Sequence, residues 1–254
     1  MRCTLALLTL ALGAAATSAN AGQWNLTYDG QGSNLLTNVH YDANASWNAG
    51  AASSFNAIHV GEHLFHIGGL NYSTFCVQLY EGLNVGSTVC FDEVDVASVP
   101  DAPPEPGPMG AIKATLIQDL YWRFHDFATD ESVDSATANL RNAAFQLAIY
   151  ELSHENFDAG SAGDALAQID LDQGAFQAAG RSQTAGSAEA VQLAADMLAA
   201  LGGDGFHFFG SGLKGLTNPD YQDQLIVVPL PAVAGMALAG LGIVGMARRR
   251  MKKA

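Results

Sequence analysis

The segment that most restricts the fold is "AAFQLAIYELSHE", residues 143–155. From Ala143 to Tyr150 the run is apolar on every side of a helix except at Gln146, and a helix apolar all round has to be enclosed by other elements. Gln146 is therefore carried into the interior, where a carboxamide without partners costs about 1–3 kcal/mol. Some other part of the chain must satisfy it, by hydrogen bonds or by covalent chemistry.

The surrounding pattern says which elements do the enclosing. Residues 22–100 are rich in Gly, Asn, Ser and Thr and carry short alternating runs, "QWNLTY", "IHVGEHLFHI", "STFCVQLY" and "STVCFDEVDV", which read as β-strands separated by turns. "VPDAPPEPGPMG" at 99–110 has five prolines in twelve residues and marks a step into a helical section. From Ala111 the period changes: Ile112, Leu116, Leu120 and Phe124 recur every four residues, with Ile117 and Tyr121 beside them. A second helix is predicted from about Ser135 to His154, capped by Asp134 or Ser135. A third starts at Ser187, turns Val191, Ala194, Met197, Leu198 and Leu201 inward, and stops at Gly202-Gly203. "GFHFFGSG" and "DQLIVV" read as closing strands, while 156–186 is ambiguous. The expected fold is α+β: a β-rich barrel or sandwich with a helical insertion.

Both ends of the chain look like addresses. Arg2, the apolar run "LALLTLALGAAA" and Ala19-Asn20-Ala21 read as a signal peptide over residues 1–21. At the other end, 23 uncharged residues from Leu225 to Ala247 precede five cations in the last seven positions, which reads as a transmembrane helix with a basic cytoplasmic tail. Three segments follow: a signal peptide 1–21, a body 22–224 and a C-terminal sorting segment 225–254. Within the last, Val228-Pro229-Leu230-Pro231-Ala232 followed by an Ala/Gly-rich span and an Arg cluster resembles a PEP-CTERM-type sorting signal of the VPLPA variant. That resemblance implies cleavage near the motif by an exosortase-type membrane protease of a bacterium that makes extracellular polysaccharide. It also implies a transient stay in the inner membrane before delivery to the cell surface or extracellular matrix.

Of the eleven Lys and Arg residues, six lie in these ends, so the body keeps five cations against all 25 acids, a net charge of −20. Such a body repels nucleic acid and anionic membranes and is suited to solubility outside the cell. Only Lys113 and Lys214 remain as lysines in it. His59-Val60-Gly61-Glu62-His63, with His66 beyond, spells an inverted zinc-protease pattern. That chemistry needs the ligands on one helical face. This segment alternates as a strand and holds Gly61, so its histidines are expected to stand exposed on a strand. Neither a nucleophile elbow nor a phosphate or dinucleotide loop occurs.

Cysteine offers the remaining chemistry. Cys3 falls in the signal peptide, leaving Cys76 and Cys90, whose separation by 13 residues would suit a disulfide across neighbouring strands in an exported protein. The alternative use of Cys76 is nucleophilic. Its sulfur can attack the Gln146 carboxamide, expel ammonia and leave an internal thioester, provided that sulfur and carbonyl are held together away from water. Phe75-Cys76-Val77 and Gln146-Leu147-Ala148-Ile149-Tyr150-Glu151 together resemble the two halves of the thioester domains of bacterial surface proteins. Tyr150 stands where Trp is commonest, a departure expected to affect packing more than chemistry, and Phe145 stands where Thr often precedes the Gln. The resemblance implies covalent adhesion: an amine or hydroxyl on a surface or matrix target attacks the Gln146 carbonyl, Cys76 leaves, and an amide or ester remains. It implies no cofactor and no metal, and a protein that acts once is not an enzyme. Cys90 is then expected to be a free, buried thiol. The competing expectation is a non-reactive surface or matrix protein with a Cys76–Cys90 disulfide.

The sorting segment is testable by itself. Replacing Pro229 and Pro231 together by Ala is expected to reduce release of the protein and its C-terminal trimming, both read on the secreted and membrane fractions. Equal release and equal trimming would leave a plain tail anchor.

Overall fold

The computed structural model describes residues 22–100, 107–210 and 212–228. The signal-peptide segment, the middle of the proline-rich stretch, and Pro229, Leu230, Pro231 and Ala232 with the rest of the C-terminal segment lie outside the described residues. The chain is α+β. Strands β1 (Gln23–Tyr41), β2 (Asn56–Ile67), β3 (Leu70–Cys76) and β4 (Thr88–Val94) come first, followed by helices α1 (Gly110–Ala128), α2 (Ser135–His154) and the single turn α3 (Ala162–Ala165). Then come β5 (Phe176–Ala179), α4 (Ser187–Ala199), β6 (Leu213–Thr217) and β7 (Gln224–Val227).

All pairings in the sheet are antiparallel, and they close on themselves. Strand β1 is long enough for three partners: Gln23–Thr27 pairs with β4, the middle from Thr27 to Val39 pairs with β2, and Asn38–Tyr41 pairs with β5. Strand β2 continues to β3, β3 to β7, β7 to β6 and β6 back to β4. Of barrel and sandwich, this six-membered ring has the pairing order of a barrel, which leaves no ladder edge among its members. Leu26, Tyr28, Phe65, Val89, Phe91, Leu216 and Ile226, from five of the six strands, form its interior cluster.

The larger cluster lies where the helices pack on the ring. There α2 is buried without interruption from Asn142 to His154, between the sheet and helices α1 and α4. Phe145, Leu147 and Ile149 are fully buried, each worth about 1.5–3 kcal/mol relative to exposure. Asp134 caps α2 as the sequence predicts, its carboxylate accepting from the Ala136 and Thr137 amides. The enclosed half of α2 extends past Tyr150 to take in Glu151, Ser153 and His154, so the polar end of the segment is interior as well.

Two expectations are corrected. "GFHFFG", residues 205–210 of the expected strand, is not a strand. Fully buried Asp119 on α1 accepts from Arg123 Nε at 3.0 Å, Gly202 N at 2.9 Å and His207 N at 2.9 Å, and Gln118 Oε1 accepts from Phe209 N, so the segment is pinned as a loop. The body does not end at 224 either. Leu225 and Ile226 are buried in β7, paired with Phe75 and Thr74 of β3, so the segment assigned to a transmembrane helix opens with a strand of the fold. No helix among the described residues is long and apolar enough to cross a membrane.

Burial pushes the Asp119 carboxyl up, but the hydrogen bonds from Arg123, Gly202 and His207 outweigh it and hold the group below the usual carboxylate range. A depressed carboxylate adds stability that is present above its unfolded pKa and is lost as pH falls through the folded value. Asp119→Ala is expected to destabilise the protein by about 2–4 kcal/mol at pH 7 in urea unfolding, since two backbone amides and Arg123 lose their acceptor together.

Candidate functional site

Cys76 is the last residue of β3, and Gln146 lies near the middle of α2. The structure brings them together. Gln146 Nε2 donates to Cys76 O at 2.8 Å, Cys76 N donates to Gln146 Oε1 at 3.1 Å, and Cys76 Sγ stands 3.6 Å from the same oxygen. The reason lies in the ladder. Val77 N turns toward β7 and donates to Asp223 O at 3.0 Å, whereas the polar groups of Cys76 face the other side. There the pairing of β2 with β3 has already ended at His63 and Thr74. Beyond that point β2 departs with β1 through an irregularity opposite Gly61, whose φ of 151° and approach to Ser33 O leave no room for a Cβ. The carboxamide of Gln146 fills the gap and makes the two hydrogen bonds that the next residue of β2 would otherwise make.

The surroundings exclude water. Gln146 and Phe145 are fully buried and Cys76 is 2 % exposed, while Phe75 and Tyr121 each meet Phe145 edge to face, with ring centroids 4.9 and 5.0 Å apart. Two tyrosines near the sulfur, Tyr28 and Tyr121, are pushed toward their neutral forms. Burial, reinforced by the charge of Cys76 in its ionised form, raises Tyr28 to about 12 and Tyr121 well above its ordinary value. In the ring beside Tyr28, burial lowers His63 to about 4, against a hydrogen bond to the Gln224 side chain that acts the other way. After Cys76 the chain is clamped to the start of β7: Gln78 accepts through its side chain from Asp223 N and through its carbonyl from Gln222 Nε2.

Chemically this arrangement presents a thiol to an amide carbonyl in a dry pocket. The backbone N–H of Cys76 already points at the oxygen that would carry negative charge in a tetrahedral intermediate. The third contact was not anticipated. Tyr150, one turn after Gln146 on the same face of α2, places its hydroxyl 2.5 Å from Cys76 Sγ. A residue expected to matter for packing thus touches the Cys76 sulfur, and its i,i+4 spacing from Gln146 was the available signal.

The other candidates come out differently. Cys90 is a free thiol, as expected, but exposed on β4 where burial was expected. In the closed ring β3 and β4 are three strands apart in either direction, so Cys76 and Cys90 do not sit on neighbouring strands, and no disulfide joins them. His59 bonds Asn34, His66 bonds Asp29, and Glu62 accepts from Ser33 N and Ser73 Oγ, each committed separately. His63 departs from the exposed-strand expectation: it points into the ring beside Tyr28, with Nδ1 buried. Among the described residues no group of three or more His, Cys, Asp and Glu could hold a metal ion. Both lysines of the body are engaged. Lys113 Nζ donates to Ser153 O at 2.8 Å, and burial lowers it to about 8 against the nearby Glu155 and Glu151; Lys214 lies 3.7 Å from both Glu93 and Asp95.

No protein-family model, curated protein or solved structure matches this chain. The site is read from its own geometry.

His63, buried in the strand ring beside Tyr28, gives the fold a pH signature. Its folded pKa is depressed to about 4, so the unfolded chain binds the proton first, and stability present above about pH 6.5 declines as pH falls toward 4. His63→Gln is expected to flatten that decline relative to wild type, measured as the difference in urea midpoint between pH 7 and pH 4.5. An equal slope in both proteins would mean that His63 does not titrate in this window.

Proposed function

We propose that this is an exported bacterial surface protein whose Cys76 and Gln146 form an internal thioester that captures an amine or hydroxyl on a surface or matrix target. The observation that carries the reading is the double hydrogen bond between the Gln146 carboxamide and the backbone of Cys76, which holds carbonyl and sulfur together in a water-free junction. In the forming step Sγ bonds to the Gln146 carbonyl carbon, the C–N bond breaks, and the thiol proton leaves with the nitrogen as ammonia. In the capturing step the target's nucleophile bonds to the same carbon, the C–S bond breaks, and sulfur takes up the proton that the nucleophile gives up. No cofactor enters either step.

The ends of the chain complete the proposal: a signal peptide over 1–21, export, a stay in the inner membrane through the C-terminal segment, and trimming by an exosortase-type protease at Val228 to Ala232. Strand β7 runs directly into that motif, so trimming within Pro229 to Ala232 would leave the pairing of Gln224 with Cys76 untouched.

The test uses the full chain expressed with its own ends. Between its observed termini the purified protein is expected to weigh about 17 Da less than its sequence, the mass of one ammonia. Methylamine should abolish the deficit and expose one new thiol under denaturing, non-reducing conditions. Cys76→Ala and Gln146→Ala should each show neither effect. Full sequence mass in the wild type, with no thiol released by methylamine, would refute the thioester.

A further inference from the structure

We infer that Tyr150 is a catalytic residue of this site, its hydroxyl exchanging a proton with the Cys76 sulfur as the C–S bond forms and breaks. The inference rests on the thioester reading and names the group that moves the proton. The observation is the 2.5 Å contact between Tyr150 Oη and Cys76 Sγ, a pair in which either atom can donate. Both residues are about 2 % exposed, so bulk water does not stand ready to do the same work.

The chemistry requires such a group. A thiolate expelled from the Gln146 carbonyl into an apolar pocket would be costly to leave without a donor. The Cys76 N–H is committed to Gln146 Oε1 and serves the oxygen, not the sulfur. The Tyr150 hydroxyl is placed on the sulfur itself. When an amine attacks, its nitrogen bonds to the carbonyl carbon, the C–S electron pair goes to sulfur, and Tyr150 gives its proton to Sγ. The proton lost by the amine then restores the phenol. Atoms balance: amine plus thioester becomes amide plus thiol, with one proton carried from nitrogen to sulfur. Formation of the thioester is this reaction in reverse with ammonia as the amine: the hydroxyl gives its own proton toward the departing nitrogen and takes the thiol proton in its place, so the phenol is restored and ammonia leaves. One residue thus serves both maturation and capture.

Its position is set by the fold. Tyr150 lies one helical turn from Gln146, and its ring is packed by Phe176 at 5.9 Å and His154 at 5.5 Å, so the hydroxyl and the carboxamide reach Cys76 from the same face of α2. The Tyr150 ring also fills the core, so the test must separate the hydroxyl from the ring.

Tyr150→Phe in the full chain removes only the oxygen. The first-order rate at which excess methylamine releases the Cys76 thiol is expected to fall roughly 10²-fold, the lower range for loss of a positioned acid or base. The mass deficit of about one ammonia should likewise appear more slowly after synthesis. An unchanged release rate in a folded Tyr150→Phe protein would overturn the inference while leaving the thioester reading intact. A wild-type protein that releases no thiol would overturn both. Should Tyr150→Phe not fold, 3-fluorotyrosine at position 150 keeps the ring and makes the hydroxyl more acidic. The release rate is then expected to rise at least about twofold, as a better donor to a leaving group should produce, and an unchanged rate would overturn the inference.

Discussion

The structure turns on one side-chain amide standing in for a β-strand. Where β2 leaves β3, the backbone of Cys76 would be left with a buried donor and a buried acceptor unmet, a cost of about 1–3 kcal/mol for each. Gln146 meets both at 3.1 and 2.8 Å. This contact is one of the hydrogen-bonded junctions between the strand ring and the helical layer. It also explains why a helix apolar on every side carries an amide at its centre, since no aliphatic residue could close that ladder.

The same contact gives the junction its chemical capacity. Hydrogen bonding that stabilises the fold sets the carboxamide against the neighbouring sulfur, and the aromatic packing of Phe75, Tyr121 and Phe145 keeps water out. Structure and reactivity are therefore coupled: whatever loosens the α2 contact with β3 also loosens the approach of sulfur to carbonyl. The titratable neighbours Tyr28 and Tyr121 are both pushed by burial toward their neutral forms, so the surroundings of the sulfur stay uncharged. On the proposed reading a target would have to reach a side chain that is fully buried in this structure, so capture would require some opening of the cover.

Much of this was legible in the sequence because it is written in local periodicity. The bounds of α2, the Asp134 cap, the inward stripes of α1 and α4 and the first four strands all follow from spacing rules that act over a few residues. So does the need for a partner at Gln146. The loop at 205–210 was misread for the opposite reason. Its alternating Phe and His residues look like a strand, but their backbone groups are taken by Gln118 and Asp119, about 90 residues earlier in the chain. Leu225 and Ile226 carry two readings in the sequence, the closing strand "DQLIVV" and the start of a membrane span, because hydropathy does not distinguish a buried strand from the start of an apolar helix; the strand is what forms.

The sequence by itself determined that an amide must enter the core, that a strand cysteine stood available, and that the body is strongly acidic between two apolar ends. Only the tertiary structure decided which atoms meet. It set Cys90 on the far side of the strand ring from Cys76 and turned it outward, because position in a closed ring depends on pairing order and not on separation along the chain. It turned His63 inward while His59 and His66 found separate partners, because an irregularity at Gly61 resets the alternation of faces. And it brought the Tyr150 hydroxyl onto the sulfur, because that contact joins two elements 74 residues apart whose approach is fixed by packing over the whole of α2.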